Sequence, residues 1–142
     1  MGKIFIYGAY GYTGKIIVEV ARQQGLEPLI GGRNKELTVT LANEYQLAYE
    51  VLDVNDYESW NRILAEVDLL INCAGPFALT VEHVVPLCLK NNVHYLDITG
   101  EIEVFQYIAS LHKEAIAAGI VMMPGVGFDV VPTDCLSAKL KE

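Results

Sequence analysis

The sequence is short of cationic residues, of cysteine pairs and of long apolar runs, and each shortage removes a class of function. Lys and Arg number 10 against 18 Asp and Glu, a net charge of −8. Such a field repels nucleic-acid backbones and anionic lipid surfaces unless a local basic patch intervenes. The closest basic grouping, Arg33 with Lys35, is too small for a nucleic-acid face and large enough for one phosphate. No apolar run approaches the roughly 18 residues that cross a bilayer. Met1-Gly2-Lys3 runs straight into Ile4-Phe5-Ile6-Tyr7 without a signal-peptide cleavage site, and Ile6 stands where a myristoylation motif needs Ser or Thr. Cys73, Cys88 and Cys135 form an odd set without CxxC spacing. They fit the reduced thiols of a cytosolic protein, each a small buried hydrophobe. No nucleic-acid partner, no membrane span and a cytoplasmic location are therefore expected.

Several catalytic signatures are missing as well. His83, His94 and His112 are dispersed without metal-ligand spacing, so no metal site is expected. Ser59, Ser110 and Ser137 occupy no GxSxG elbow. A P-loop aligned on Gly14-Lys15 fails, because Ala9 replaces its first glycine and Ile16 its Mg-binding hydroxyl. No tyrosine stands four residues before a lysine, which excludes the YxxxK pair of short-chain dehydrogenases.

What remains is a single domain's worth of chain, 142 residues with 52 % hydrophobic and 20 % charged. Short apolar runs alternate with longer segments of helical period, the pattern of a doubly wound α/β fold with a parallel sheet covered on both faces. Strands are predicted at about 3–7, 28–30, 48–52, 69–72, 94–97 and 120–123. Helices are predicted over 12–24, 35–45, 56–66, roughly 84–91 and 102–118, with Gly25 and Gly119 as stop residues. Asn34 can cap the second helix, and Asn55 followed by Glu58 has capping-box spacing for the third. Pro86 requires the fourth helix to begin just before it or to bend there. A last helix starts near Pro132 and meets no stop signal before Glu142.

The informative stretch is Gly8-Ala9-Tyr10-Gly11-Tyr12-Thr13-Gly14, which follows the first strand and opens a helix with Ile16, Ile17 and Val20 on its predicted inner face. This GxxGxxG spacing is a variant of the dinucleotide fingerprint. One glycine permits the tight turn, a second lets backbone N–H groups approach pyrophosphate, and a third lets helix and strand pack closely. The helix N-terminus offers unpaired donors and the positive end of its dipole to the anion. A purely structural glycine turn is the alternative reading.

The second strand ends in Leu29-Ile30-Gly31-Gly32-Arg33-Asn34, without the acid that accepts from the adenosine ribose in NAD-specific folds. Gly31 and Gly32 leave space there, and Arg33 offers a planar fork suited to a 2′-phosphate and to stacking on adenine, the alternative being a solvated surface arginine. NADP(H) is therefore favoured over NAD(H). Asp53, at the end of the third strand, either accepts from the adenine amino group or caps the following turn. Cys73-Ala74-Gly75-Pro76 lets the backbone pass close to the cofactor ribose, although Gly75-Pro76 is also a plain turn signal.

GAYGYTGK at 8–15, GGRN at 31–34, NCAGPF at 72–77, HYLDITGE at 94–101 and GFDVVPTD at 127–134 together resemble the saccharopine dehydrogenase-like family, in particular the branch with trans-acting enoyl reductases and saccharopine dehydrogenase-like oxidoreductases. The resemblance implies an NADP-binding Rossmann domain over residues 1–142 with strand order 3-2-1-4-5-6. In longer relatives a substrate and dimerisation domain follows, which this chain ends without, so a homodimer and a small-molecule substrate enter as expectations. The resemblance places Gly8, Gly11, Tyr12, Thr13 and Gly14 on the pyrophosphate, Arg33 and Asn34 on the 2′-phosphate, and the Cys73–Phe77 turn beside the cofactor. The 97–101 and 125–129 loops fall near the nicotinamide. Asp97, Glu101 and Asp129 are then the carboxylates nearest to chemistry, and each also fits as a hydrogen-bonded loop or cap residue.

The function so implied is hydride transfer between NADP(H) and a carbonyl, imine or enoyl carbon, with binding but no turnover by this chain alone. A stand-alone dinucleotide-sensing module is the alternative. Exposed apolar side chains are expected on the last strand and on the helix after Pro132, where a second domain or subunit would cover them.

Overall fold

A computed structural model describes residues 2–128 and 130–141. Its centre is a six-stranded sheet in the order β3-β2-β1-β4-β5-β6, with every neighbouring pair parallel. The strands are β1 (Ile4–Tyr7), β2 (Leu29–Gly32), β3 (Tyr49–Val51), β4 (Leu69–Asn72), β5 (His94–Asp97) and β6 (Met122–Met123). The helices are α1 (Tyr12–Gln23), α2 (Lys35–Tyr45), α3 (Tyr57–Leu64), α4 (Val81–Asn91), α5 (Ile102–Ser110), α6 (His112–Ala118) and α7 (Val131–Lys141), with a 3-10 turn at Phe77–Leu79. The six expected strands are present in the expected order.

Alternation along β1 divides the core. Phe5 and Tyr7 point to one face and join Trp60, Leu70, Val84 and Tyr95, whereas Ile6 points to the other and joins Val18, Ile30 and Leu41. The Trp60 ring stands edge-on to Tyr7 with centroids 4.8 Å apart, and its Nε1–H donates to the Asp53 carbonyl at 3.1 Å. That bond ties the end of β3 to the core under the site described below.

Several local expectations are corrected. Helix α1 buries Gly14, Val18 and Ala21, while Ile16 and Val20 lie 45 % and 50 % exposed and Ile17 packs only in part. The rotation of α1 is fixed by Gly14, which must face the β1 turn, and its i+4 and i+7 neighbours follow it inward. Asp56, not Asn55, caps α3, accepting from Ser59 N at 3.1 Å, and Asn55 instead donates to Asp53. Helix α4 begins at Val81 and carries Pro86 inside it on an exposed position, so the hydrogen bond that proline deletes lies on the solvent side.

The stretch 102–118 is two helices, because Leu111 leaves the helical region at φ −93°, ψ 14° and the Ser110 hydroxyl bonds the Tyr107 carbonyl at 2.6 Å. Strand β2 runs on to Gly32, β3 is shorter than expected, and β6 is only two residues long. Val121, Met123, Leu136 and Leu140 are exposed, as expected for that end of the fold, and α7 buries no residue. Among the described residues no helix is long and apolar enough to cross a membrane.

Candidate functional site

A cleft of about 490 Å³ opens at the carboxyl ends of β1, β2, β3 and β4. It is lined by eight of the residues singled out from the sequence: Gly8, Gly11, Arg33, Asp53, Cys73, Ala74, Gly75 and Pro76. Five others are nearby but not in the lining. Ala9 and Gly14 are buried beneath it, Tyr12 and Thr13 sit on the first turn of α1, and Asn34 stands at the start of α2.

The glycines have separate tasks. Gly8 adopts φ +77°, and a Cβ there would lie 2.7 Å from Ala74 N, so the turn closes against the β4 loop only without a side chain. A Cβ on Gly14 would collide with the Gly8 carbonyl and lie 2.8 Å from Ala9 Cα, which makes Gly14 the residue of close helix–strand packing. Gly11 is the N-cap of α1 and provides no side-chain cap, whereas Asn34 and Asp56 cap α2 and α3. The first turn of α1 therefore keeps its N–H groups, and the positive end of its dipole, directed to whatever enters the cleft.

At the end of β2 the two glycines make room for aromatic rings, while Gly32 still lines the cleft. A Cβ on Gly31 would meet the Phe5 ring at 2.6 Å, and one on Gly32 would collide with the Tyr10 ring. Tyr10 lines the cleft, and its hydroxyl accepts from Asn34 N at 3.3 Å. Asn34 spends its side chain on the cap of α2, accepting from Leu37 N at 3.0 Å. Arg33 is exposed at the lip and forms no ion pair among the described residues. Asp53 takes the turn-capping role: its Oδ1 accepts from Asn55 N at 3.1 Å and Asn55 Nδ2 at 2.8 Å while the residue still lines the cleft.

The ends of β4 and β5 are built differently, from a closed polar network. Asn72 is fully buried; its Nδ2 donates to Thr80 Oγ1 at 3.1 Å and Tyr95 Oη at 3.2 Å, and its Oδ1 accepts from Ala74 N at 3.0 Å. Tyr95 Oη donates to Asp97 Oδ2 at 2.9 Å, and Asp97 Oδ1 accepts from Thr99 N and Gly125 N. Burial raises the Asp97 carboxyl above its ordinary value, against the two backbone N–H groups that lower it. Glu101 clamps the turn after Pro76, accepting from Phe77 N at 2.7 Å and Ala78 N at 2.8 Å. Both carboxylates are thus loop fasteners, and Asp129 lies outside the described residues. The Cys73 thiol is pushed up to about 12 by burial and then by the charge of Asp97, so it is no nucleophile at neutral pH.

Sequence reasoning missed Tyr7, Tyr10, Thr80 and His83, all of which line the cleft. The legible signal for Tyr10 was an aromatic inside the glycine turn opposite a Gly-Gly pair. His94 is structural, its Nδ1 accepting from Val121 N at 2.9 Å. No group of three metal-ligating side chains occurs among the described residues.

A parallel sheet of this order, with a glycine turn where the strand order reverses between β1 and β4, defines a Rossmann-type domain. The chain belongs to the saccharopine dehydrogenase NADP-binding domain family, whose model matches residues 4–123. It is 30 % identical over 151 residues to a saccharopine dehydrogenase-like oxidoreductase of Mus musculus, covering 92 % of this chain and 35 % of the relative. A probable mitochondrial saccharopine dehydrogenase-like oxidoreductase of Arabidopsis thaliana is 32 % identical over 146 residues, covering 91 % and 32 %. Among solved structures, apo saccharopine dehydrogenase (L-Glu forming) from Saccharomyces cerevisiae matches with a TM-score of 0.77 at 19 % identity, over 91 % of this chain and 28 % of that one. The chain spans about a third of the length of the curated relatives it matches.

Proposed function

We propose that this chain is the cofactor-binding part of an oxidoreductase and that its cleft selects NADP(H) over NAD(H). The observation that carries the preference is the lip after β2, where Arg33 stands without an ion-pair partner among the described residues and no carboxylate is present in Gly31–Asn34. A carboxylate at this point favours a ribose 2′-hydroxyl; a guanidinium fork favours a 2′-phosphate. The cleft also fits the rest of the dinucleotide. Gly8 and Gly11 line it without side chains, and the uncapped turn Tyr12-Thr13-Gly14 supplies amide donors for a pyrophosphate. Asn34 acts by holding the Arg33 loop, Ala9 by packing beneath, and the Cys73–Pro76 backbone forms the wall beside the nicotinamide ribose.

When bound, the dinucleotide would supply or accept the hydride. The chain's own residues bind it and orient it. Asp97 and Glu101 are already committed to backbone amides, so the acid or base that a carbonyl, imine or enoyl substrate requires is assigned to residues outside this set. The chain spans about a third of its relatives' length, and residues 1–142 are expected to bind the dinucleotide.

Fluorescence titration tests the reading. NADPH should bind at least about tenfold more tightly than NADH, and Arg33→Ala should remove that margin by weakening NADPH alone, the loss of one charge-assisted contact. No NADPH binding, or a preference for NADH, would refute it.

A further inference from the structure

One wall of the cleft carries a pair of side chains that the glycine turn and Arg33 leave unexplained. His83, in the first turn of α4, lines the cleft beside Leu79 and Thr80 and opposite Val54 and Asn55 of the β3 loop. Tyr57, the first residue of α3, stands behind it. The Tyr57 hydroxyl lies 2.7 Å from His83 Nδ1, and the two rings are 6.0 Å apart at 39°. That bond occupies one imidazole nitrogen and fixes the ring. Nε2 is left with no protein partner among the described residues.

Several neighbouring polar atoms are already bonded within the protein. Asp53 Oδ1 is taken by Asn55, and Thr80 Oγ1 donates toward the Ala74 and Phe77 carbonyls while accepting from Asn72. Around them the surface is apolar, with Leu79 66 % exposed and Val54 half-buried. An apolar slot with one fixed imidazole suits a flat, uncharged heteroaromatic ring, which stacks on such side chains and offers ring nitrogens for a hydrogen bond. Arg33 borders the same cleft. In NADP(H) the base is joined to the very ribose that carries the 2′-phosphate, so the base slot and the 2′-phosphate lip must share one cavity, as they do here.

We propose that His83, oriented by Tyr57, is a specificity-determining residue that reads the adenine base, with Nε2 as its free hydrogen-bonding atom and Tyr57 as a positioning residue. The assignment rests on the dinucleotide reading above. Asp53 Oδ1 is committed to its own turn, so a base contact from that residue would fall to Oδ2.

Competition against NADPH fluorescence by 5′-AMP and by 2′,5′-ADP separates base from phosphate. His83→Ala should weaken both competitors by the same factor, about tenfold, as expected for one lost base contact. Arg33→Ala should weaken 2′,5′-ADP and leave 5′-AMP unchanged. Tyr57→Phe keeps the histidine and should weaken both competitors about threefold, a smaller effect than removing the base contact itself; it decides the matter if His83→Ala fails to fold. Unchanged 5′-AMP competition in these variants, or no 5′-AMP competition with the wild-type chain, overturns the base-reading role while NADPH binding stands. A wild-type chain that binds no NADPH overturns both this role and the reading beneath it.

Discussion

The two sides of the strand reversal solve opposite problems. After β1, side chains are withheld: Gly8 and Gly11 line the cleft, α1 has no side-chain cap, and backbone donors face open space. After β4 and β5, Asn72 bonds Tyr95 across 23 residues and Asp97 bonds Gly125 across 28, and no buried side-chain polar atom among the described residues lacks a partner. The first side is preorganised to gain hydrogen bonds from a ligand. The second has already made its bonds, and their effect is to hold the Ala74–Ala78 turn rigid against the glycine turn. A binding cleft needs both, since free donors are useful only if the opposite wall does not move.

The contrast can be broken from either side. Gly14→Ala should have the largest effect, because its Cβ meets backbone atoms of Gly8 and Ala9 that cannot rotate away. A loss of about 3 kcal/mol or more in urea unfolding is expected, together with loss of NADPH binding. Asn72→Ala should cost about 2–3 kcal/mol, leaving Ala74 N–H and the Thr80 and Tyr95 hydroxyls short of a partner inside the protein. Its effect on NADPH affinity should be smaller than that of Gly14→Ala, since the donors on the α1 side survive.

The smallest effect is a pH slope. The folded-state value of Asp97 is raised above the ordinary 3.8, so the folded chain holds this proton more tightly than the unfolded chain. Its contribution therefore favours folding at low pH and is lost as pH rises from about 3.8 through the raised value. Asp97→Asn should remove that slope from the difference between the two unfolding curves measured across the acid range. A wild-type curve whose slope is unchanged by the substitution would mean that burial does not govern this carboxyl.

Much of this arrangement is readable from residue order, for a physical reason. Buried parallel strands appear as continuous apolar runs, and the glycine turn has a short-range spacing, so the six strands, their helices and eight lining residues follow from local pattern. The errors arise where an atom outside the local window decides. The apolar residues Ile16 and Val20 looked inward by period, yet Gly14's contact with the β1 turn sets the phase of α1. Gly31 and Gly32 announce a missing Cβ, but not that Phe5 and Tyr10 occupy the vacated volume. The Asn72–Tyr95 bond and the Tyr57–His83 bond join residues more than 20 positions apart, and nothing in either neighbourhood signals its partner.

The central claim is that the donors after β1 are held open for a dinucleotide and those after β4 and β5 are already used. Amide chemical shifts of the labelled chain, recorded as NADPH is added, test it most directly. The largest changes are expected at Gly8, Gly11, Tyr12, Thr13 and Gly14, with Phe77, Ala78, Thr99 and Gly125 nearly still. Large shifts confined to the second set, with the glycine turn unmoved, would contradict the account.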